Sequence, residues 1–228
     1  MNKRRQLLAL LAASPCLAHA GLLDSLSSKD AGTALKQALE QGASQAVATL
    51  GAADGFFGNE RFRLPLPDVL QKAAPILRTL GQGQALDDLQ LTMNRAAETA
   101  VSEAKPLLLA AVKSMSVQDA KGILSGGEDS VTQFFRGKTQ AALTQKFLPV
   151  VSKATSRLQL ADQYNKLAGQ AATFGLLKAE DAQLEGFVTR KALDALYLRI
   201  GDEEKAIRQN PAQAIGSMAK KVFGALGN

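Results

Sequence analysis

The polar residues best placed to do chemistry lie together on one predicted helix. Asn94 and Glu98 are four residues apart, so a helix places them on one face with Arg95 beside them. An amide, a carboxylate and a guanidinium in one patch could line a cavity and bind a polar ligand. A buried hydrogen-bonded pair fits the same spacing, because buried polar groups normally have hydrogen-bond partners. Of the two interpretations we favour the buried pair.

Further motifs imitate reactive or phosphate-binding sites but lack the residues that such sites need. Residues 102–105 and 217–220 have the Ser-x-x-Lys spacing of some acyl-transfer enzymes, without the accompanying Ser-Asp-Asn and Lys-Thr-Gly elements. Residues 137–139 imitate the end of a phosphate-binding loop, but Thr132 stands where its first glycine is required. The glycines within 122–127 suit a helix end followed by a tight turn. The sequence therefore predicts no catalytic residue.

The start of the chain has the organisation of a cleavable signal peptide. Residues 3–5 are basic, residues 7–13 form a short apolar core, and an Ala-x-Ala cleavage site occupies residues 18–20. This core is too short for a transmembrane helix, which needs about 20 apolar residues. We expect residues 1–20 to be removed and residues 21–228 to form a single helical domain in the periplasm.

Two details of the signal bear on the route of export. Arg4 and Arg5 fit a loose twin-arginine signal, but an ordinary basic segment is the better interpretation, and we favour the general secretory route. Cys16 follows Pro15 and lies upstream of the better cleavage site. We therefore expect no lipid anchor on Cys16.

Removal of the signal would also restrict the chemistry of the mature chain. Cys16 and His19, both within the signal, are the only cysteine and histidine of the full chain, which also has no tryptophan. Without them the mature chain cannot build a Cys/His metal site, a disulfide or a Ser-His-Asp triad. The net charge falls from +6 to +3, because three basic and no acidic residues leave with the signal. We expect no metal, no cofactor and no nucleic-acid partner.

Apolar residues recur at helical spacing along most of the mature chain and predict an all-α, bundle-like fold. The expected helices cover 28–50, 68–80 with Pro75 inside, 86–115 with Pro106 inside, a short segment up to 124, 129–173 broken at Pro149, and two or three segments within 179–228. Ser116 and Asp119 predict the cap of the short helix, and Ser125 and Glu128 predict a capping box for the next.

Residues 51–67 interrupt this helical pattern. Glycines and prolines enclose an alternation of apolar and polar residues, which predicts a short extended or hairpin insertion near 55–67. The insertion carries Phe56, Phe57 and Phe62, so we expect it to dock on the helices.

Basic residues dominate the predicted helix 129–173. Three of them fall on one helical face, Lys146, Lys153 and Arg157, opposite Leu143, Phe147, Val150 and Leu158. Such a face could meet anionic lipid head groups or an acidic partner. A solvated face is the interpretation that we favour, because most charged runs are solvated.

Five segments occur in a recognisable order along almost the whole mature chain: 62–67 (FRLPLP), 93–98 (MNRAAE), 119–126 (DAKGILSG), 134–136 (FFR) and 203–211 (EEKAIRQNP). This order resembles the bacterial exported proteins grouped as domain of unknown function 4197. The resemblance implies a helical periplasmic protein without an established activity. It also adds polar candidates for a ligand-binding cluster with Asn94, Arg95 and Glu98, namely Asp119, Arg136, Glu204 and Arg208.

We expect a non-enzymatic binding or interaction module, since the catalytic side chains are absent and the helices are rich in alanine and leucine. Helices kinked at Pro75, Pro106 and Pro149 could leave an apolar cavity. The expected partner is an apolar small molecule or lipid, or a protein of the envelope.

Two other functions remain open. A carboxylate-dependent enzyme acting on an envelope polymer would need Glu98, Asp119, Glu203 and Arg208 to converge. A structural or oligomeric scaffold would use the amphipathic segment 211–228. The sequence predicts no oligomeric state.

Overall fold

A computed structural model describes residues 28–173 and 182–209, and this part of the chain is helical, without strands. The expected all-α fold is confirmed. The helices are α1 (Ser28–Leu50), α2 (Asp68–Thr79), α3 (Gly83–Ser102), α4 (Lys105–Lys113), α5 (Val117–Ser125), α6 (Ser130–Thr155), α7 (Gln159–Thr173) and α8 (Leu184–Gln209). Within the described residues, none of these helices has the length and apolar character needed to span a bilayer.

The core forms where α3, α6 and α8 pack together, with α1 and α4 closing one side. The two long helices α6 and α8 make the most extensive contact, and α3 lies against both. The buried face of α1 is rich in alanine, including Ala34, Ala38, Ala43 and Ala46. Small side chains let helix axes approach closely, so α1 reaches α8 near Gly42.

Residues 51–62 between α1 and α2 form a series of turns, and residues 63–67 have no regular secondary structure, so the expected hairpin is not formed. Its backbone hydrogen bonds are short-range, such as Gly58 N to Asp54 O at 3.1 Å. Phe56 and Phe62 are nevertheless fully or almost fully buried, and Phe57 is half-buried. The segment therefore docks on the helices as expected, but through turns that bury aromatic rings.

Two helix boundaries differ from the expected ones because of proline. The expected helix 86–115 is two helices, and Pro106 lies in the first turn of α4. Proline is tolerated there because first-turn N–H groups have no partner within the helix. Pro149, by contrast, lies inside α6 without ending it. Phe147 and Val151 are completely buried on either side of it, and their packing favours continuation of the helix.

Capping follows one prediction and contradicts another. Ser116 and Asp119 form a reciprocal capping box at the start of α5, as expected, and Gly126 follows its end. Ser125 is the last residue of α5, so it does not cap α6. Of the two or three helices expected within 179–228, the described residues contain α8. The signal peptide and the segment 211–228 lie outside the described residues.

Candidate functional site

Asn94 and Glu98 share one buried face of α3, where they hold the turns of residues 51–67. The side-chain amide of Asn94 forms a two-way link with Leu64: Oδ1 accepts from the Leu64 N–H at 2.7 Å and Nδ2 donates to the Leu64 carbonyl at 3.1 Å. Glu98 Oε1 accepts from the N–H groups of Phe56 and Phe57 at 3.1 and 3.2 Å. Each side chain thus bonds to loop backbone, and not to the other as in the pair that we favoured.

Arg95 extends this anchor to the surface. Its guanidinium donates to Glu98 Oε2 at 2.8 Å and to Asp54 Oδ1 at 2.7 Å. The hydrogen bond to Glu98, and to a smaller extent the one to Asp54, raises the pKa of Arg95. Asp54 has a positive φ of 65°, which is uncommon outside glycine and fixes the turn that carries its carboxylate. We call Asn94, Arg95, Glu98 and Asp54 the loop anchor.

Glu204 and Arg208 form a second buried cluster at the start of α6. Glu204 Oε1 accepts from the Val131 N–H at 3.2 Å, and Oε2 accepts from the Thr132 N–H at 3.3 Å. Arg208 donates to Glu204 Oε1 at 2.9 Å and to Ser130 Oγ at 2.9 Å. The carboxylate therefore caps α6 from α8, where N–H groups lack partners within the helix and the dipole favours negative charge.

Asp119 and Arg136 belong neither to the loop anchor nor to the cluster around Glu204. Asp119 closes the capping box of α5 and pairs with Lys138 at 3.3 Å. Its hydrogen bonds to the Ser116 backbone and hydroxyl lower the pKa of Asp119. Arg136 lies over the ring of Tyr197, 4.6 Å from its centroid, and pairs with Asp194 at 3.2 Å.

These positions do not give the enzyme hypothesis the convergence that it requires. Glu98 is bonded to the loop and Arg95, whereas Glu204 is bonded to α6 and Arg208. Glu203 pairs with Arg199 on the same helix. The hydrogen-bonding partners of the two buried carboxylates have no residue in common. Among the described residues, no three carboxylate, histidine or cysteine side chains come close enough to bind a metal ion.

Lys146 and Lys153 of α6, and Arg157 in the turn that follows it, lie at or near an open cleft between α3 and α6. This cleft has a volume of about 660 Å³. Lys153 and Arg157 line it together with Arg95, and Lys146 pairs at 3.1 Å with Glu103, which also lines it. We call it the α3–α6 cleft.

Apolar side chains and two threonines, Thr92 and Thr99, line the rest of the α3–α6 cleft. Leu91 and Ala96 come from α3, and Val150 and Ala154 come from α6. Val150 was expected opposite the basic residues, and this expectation is wrong, because it lies in the same cleft as Lys153. The cleft therefore combines an apolar lining with three cationic side chains.

Two other cavities offer less distinctive chemistry. An open one of about 650 Å³ beside α5 and α6 is lined by Gly122, Gly126 and Gly127 together with Asp119 and Asp129. Its carboxylates oppose the anion binding that the glycines alone would allow. A smaller cavity of about 300 Å³ between α6 and α8 is lined by one basic and one acidic side chain. The α3–α6 cleft is the candidate site, because its size and mixed lining are those of ligand pockets.

Comparison with known proteins decides the family. A family model described as protein of unknown function (DUF4197) matches residues 25–224. The chain belongs to this DUF4197 family. No curated protein and no solved structure matches the chain.

Four of the five segments that carry the DUF4197 resemblance meet in pairs at the two buried clusters. Segments 62–67 and 93–98 meet at the loop anchor, through Leu64 and Asn94. Segments 119–126 and 203–211 meet where Arg208 donates to the Ile123 carbonyl at 3.4 Å. The cleft residues Lys153 and Arg157 lie outside all five segments.

Sequence reasoning missed two contributors to these sites. Asp54 precedes a glycine in a turn, which is a signal for a left-handed residue, but nothing in the local pattern pairs it with Arg95. Leu91 is 37% exposed and lines the cleft. One face of α3 contacts the loop and another faces α6. Little of its surface is therefore left for a third face.

Proposed function

We propose that this DUF4197 chain is an exported, non-enzymatic binding protein of the bacterial envelope, and that the α3–α6 cleft is its ligand site. The observation that carries the proposal is the cleft itself, with apolar side chains of Leu91, Val150 and Ala154 facing a space of about 660 Å³. Pockets for small ligands are mostly apolar and have volumes of about 300–1,000 Å³. A ligand with an apolar part would remove these side chains from water.

The absence of a reaction is supported by what the buried carboxylates already do. Glu98 and Glu204 are almost fully buried, and each accepts hydrogen bonds from backbone N–H groups and an arginine. A general acid or base needs a free path to the substrate proton. Both carboxylates are instead used to hold the fold together.

Binding can be tested with the mature chain and a neutral fluorescent naphthylamine dye that brightens in apolar surroundings. We expect saturable dye binding, which Ala154→Trp abolishes by filling the cleft. Ala142→Trp is the matched control, since Ala142 is exposed on α6 and does not line the cleft. Absence of saturable binding by the folded mature chain, or equal binding by both tryptophan variants, would contradict the proposed site.

Export can be tested separately with the full chain in a Gram-negative host. The signal features predict that the protein accumulates in the periplasmic fraction with Gly21 as its first residue. Replacing Ala18 and Ala20 by bulky residues should leave an uncleaved precursor. Recovery of the uncleaved native chain in the cytoplasm would refute export.

A further inference from the structure

The charges of the α3–α6 cleft point to the chemistry of its ligand. We propose that the cleft binds individual anionic amphiphiles, with a carboxylate or phosphate head at Lys153 and Arg157 and an aliphatic chain along the apolar lining. This inference rests on the proposed function, because it names the ligand class of the same site.

The first argument is the balance of charge within the cleft. Among the described residues, Glu103 is the one carboxylate that lines it, and Lys146 pairs with Glu103 at 3.1 Å. Arg95 is already paired with Asp54 and Glu98. Lys153 and Arg157 form no ion pair with any residue that the structure describes. Two positive charges therefore remain uncompensated at the cleft, and an anionic head group would pair with them.

The second argument is the placement of these cations beside apolar side chains. Lys153 lies on α6 and Arg157 lies in the turn that follows it, whereas Val150 and Ala154 are four residues apart on α6 and share one strip of the helix. Leu91 faces them from α3. A molecule whose head group meets the two cations can lay its chain on Val150 and Ala154. A short inorganic anion would use only the charges.

The third argument separates a single bound molecule from a membrane surface. Helices that lie on bilayers insert large apolar side chains flanked by basic residues. Among the large apolar side chains that are exposed in the described part of the chain, Leu91 is the one lining this cleft. The others, Val69, Ile76, Leu80, Val117 and Leu198, do not line it. A concave site with one exposed leucine fits one aliphatic chain better than a bilayer.

The test compares three probes with the same twelve-carbon chain: dodecanoate, dodecanol and dodecyltrimethylammonium, each displacing the naphthylamine dye below its micelle concentration. We expect dodecanoate to bind about tenfold more tightly than dodecanol, and the cation to bind most weakly. Dodecyl phosphate should resemble dodecanoate. Equal affinities for all three head groups would overturn the inference while leaving the proposed function intact, whereas no displacement by any of them would overturn both.

Variants connect this preference to the two basic residues. In Lys153→Gln/Arg157→Gln we expect the preference for dodecanoate over dodecanol to disappear while dodecanol affinity is kept. The matched control is Lys72→Gln/Lys121→Gln, which removes the same charge from exposed positions outside the cleft. A preference that persists in the first variant, or is lost equally in the control, would refute the assignment.

Two further arms distinguish other sources of negative charge. Inorganic phosphate alone should displace the dye only at far higher concentration, because it gains nothing from the apolar lining. Vesicles of phosphatidylglycerol should bind the mature chain no more tightly than vesicles of phosphatidylcholine. Tight binding to the anionic vesicles without binding to monomeric dodecanoate would replace the inference by a membrane-surface role.

Discussion

Glu98 and Glu204 show how single polar residues determine the arrangement of this fold. Each is a buried carboxylate that accepts backbone N–H groups from a distant segment and is neutralised by an arginine. Hydrogen bonds to an ionised acceptor are about twice as strong as neutral ones. Removing one would leave buried donors without partners, which costs more than a typical hydrogen bond contributes.

This dependence predicts the effect of changing Glu98. In Glu98→Ala the Phe56 and Phe57 N–H groups lose their acceptor, and we expect the free energy of unfolding to fall by about 3 kcal/mol. Glu98→Gln keeps an acceptor oxygen and should lose less. Urea denaturation measures both, and Glu103→Ala at the residue after the same helix is the control, since its exposed ion pair contributes at most about 1 kcal/mol. Equal losses in Glu98→Ala and Glu103→Ala would argue against the anchor.

Asp119 leads to a prediction about pH. Its hydrogen bonds with Ser116 lower its pKa below the ordinary value of 3.8, so the folded chain holds this proton less tightly than the unfolded chain. The stabilisation is therefore complete above about pH 3.8 and is lost as the pH falls through the lower folded pKa. Asp119→Asn should melt at a lower temperature than the native chain at pH 7, and the difference should shrink toward pH 2. A difference independent of pH would rule out the carboxylate as its source.

At the scale of elements, glycines in the turns and in the helices have opposite roles. A Cβ at Gly55 would lie 2.5 Å from the carbonyl oxygens of Thr49 and Leu50. At Gly122 in α5 a Cβ would meet no atom within 4 Å. The first position needs glycine because the backbone approaches closely there. At the second position glycine only destabilises the helix through its larger loss of conformational entropy on folding.

Two alanine substitutions should therefore shift stability in opposite directions. Gly55→Ala forces the turn to move, and we expect a loss of about 2 kcal/mol. Gly122→Ala should gain up to about 1 kcal/mol, because alanine is the better helix former. Thermal and urea unfolding of both variants measure this contrast. Stabilisation by Gly55→Ala would show that the turn is not sterically confined.

The sequence predicts those elements whose signals are local, and it does not predict contacts between residues that are far apart in the chain. The periodicity of α1 and α2 is local, so their bounds were predicted almost to the residue. The helical pattern of apolar residues resumes after 103–104, so it does not reveal that a new helix begins at Lys105. Asn94 and Glu98 were recognised as a polar pair, but their partners lie 30 to 42 residues away in the loop. Such contacts depend on the tertiary fold, which local spacing does not encode.

At the scale of the whole molecule, Arg95 links the loop anchor to the α3–α6 cleft. Its guanidinium bonds to Asp54 and Glu98, and its side chain lines the cleft. An anion in the cleft and the carboxylate of Asp54 therefore attract the same cation. Coupling between two such sites is reciprocal. The factor by which Asp54 weakens binding of the anion is therefore the factor by which the anion weakens the contact of Asp54 with Arg95.

This link predicts that Asp54→Asn strengthens binding of an anionic amphiphile. Removing the carboxylate leaves the cleft more positive, and we expect dodecanoate to bind about two- to fivefold more tightly, while dodecanol binds unchanged. Glu60→Gln is the matched control, because it removes the same charge from an exposed position in the same loop. The gain should vanish when Arg95→Gln is added, since the shared cation is then gone. Dodecanoate affinities that stay equal in the native chain and in Asp54→Asn would mean that loop and cleft are energetically independent.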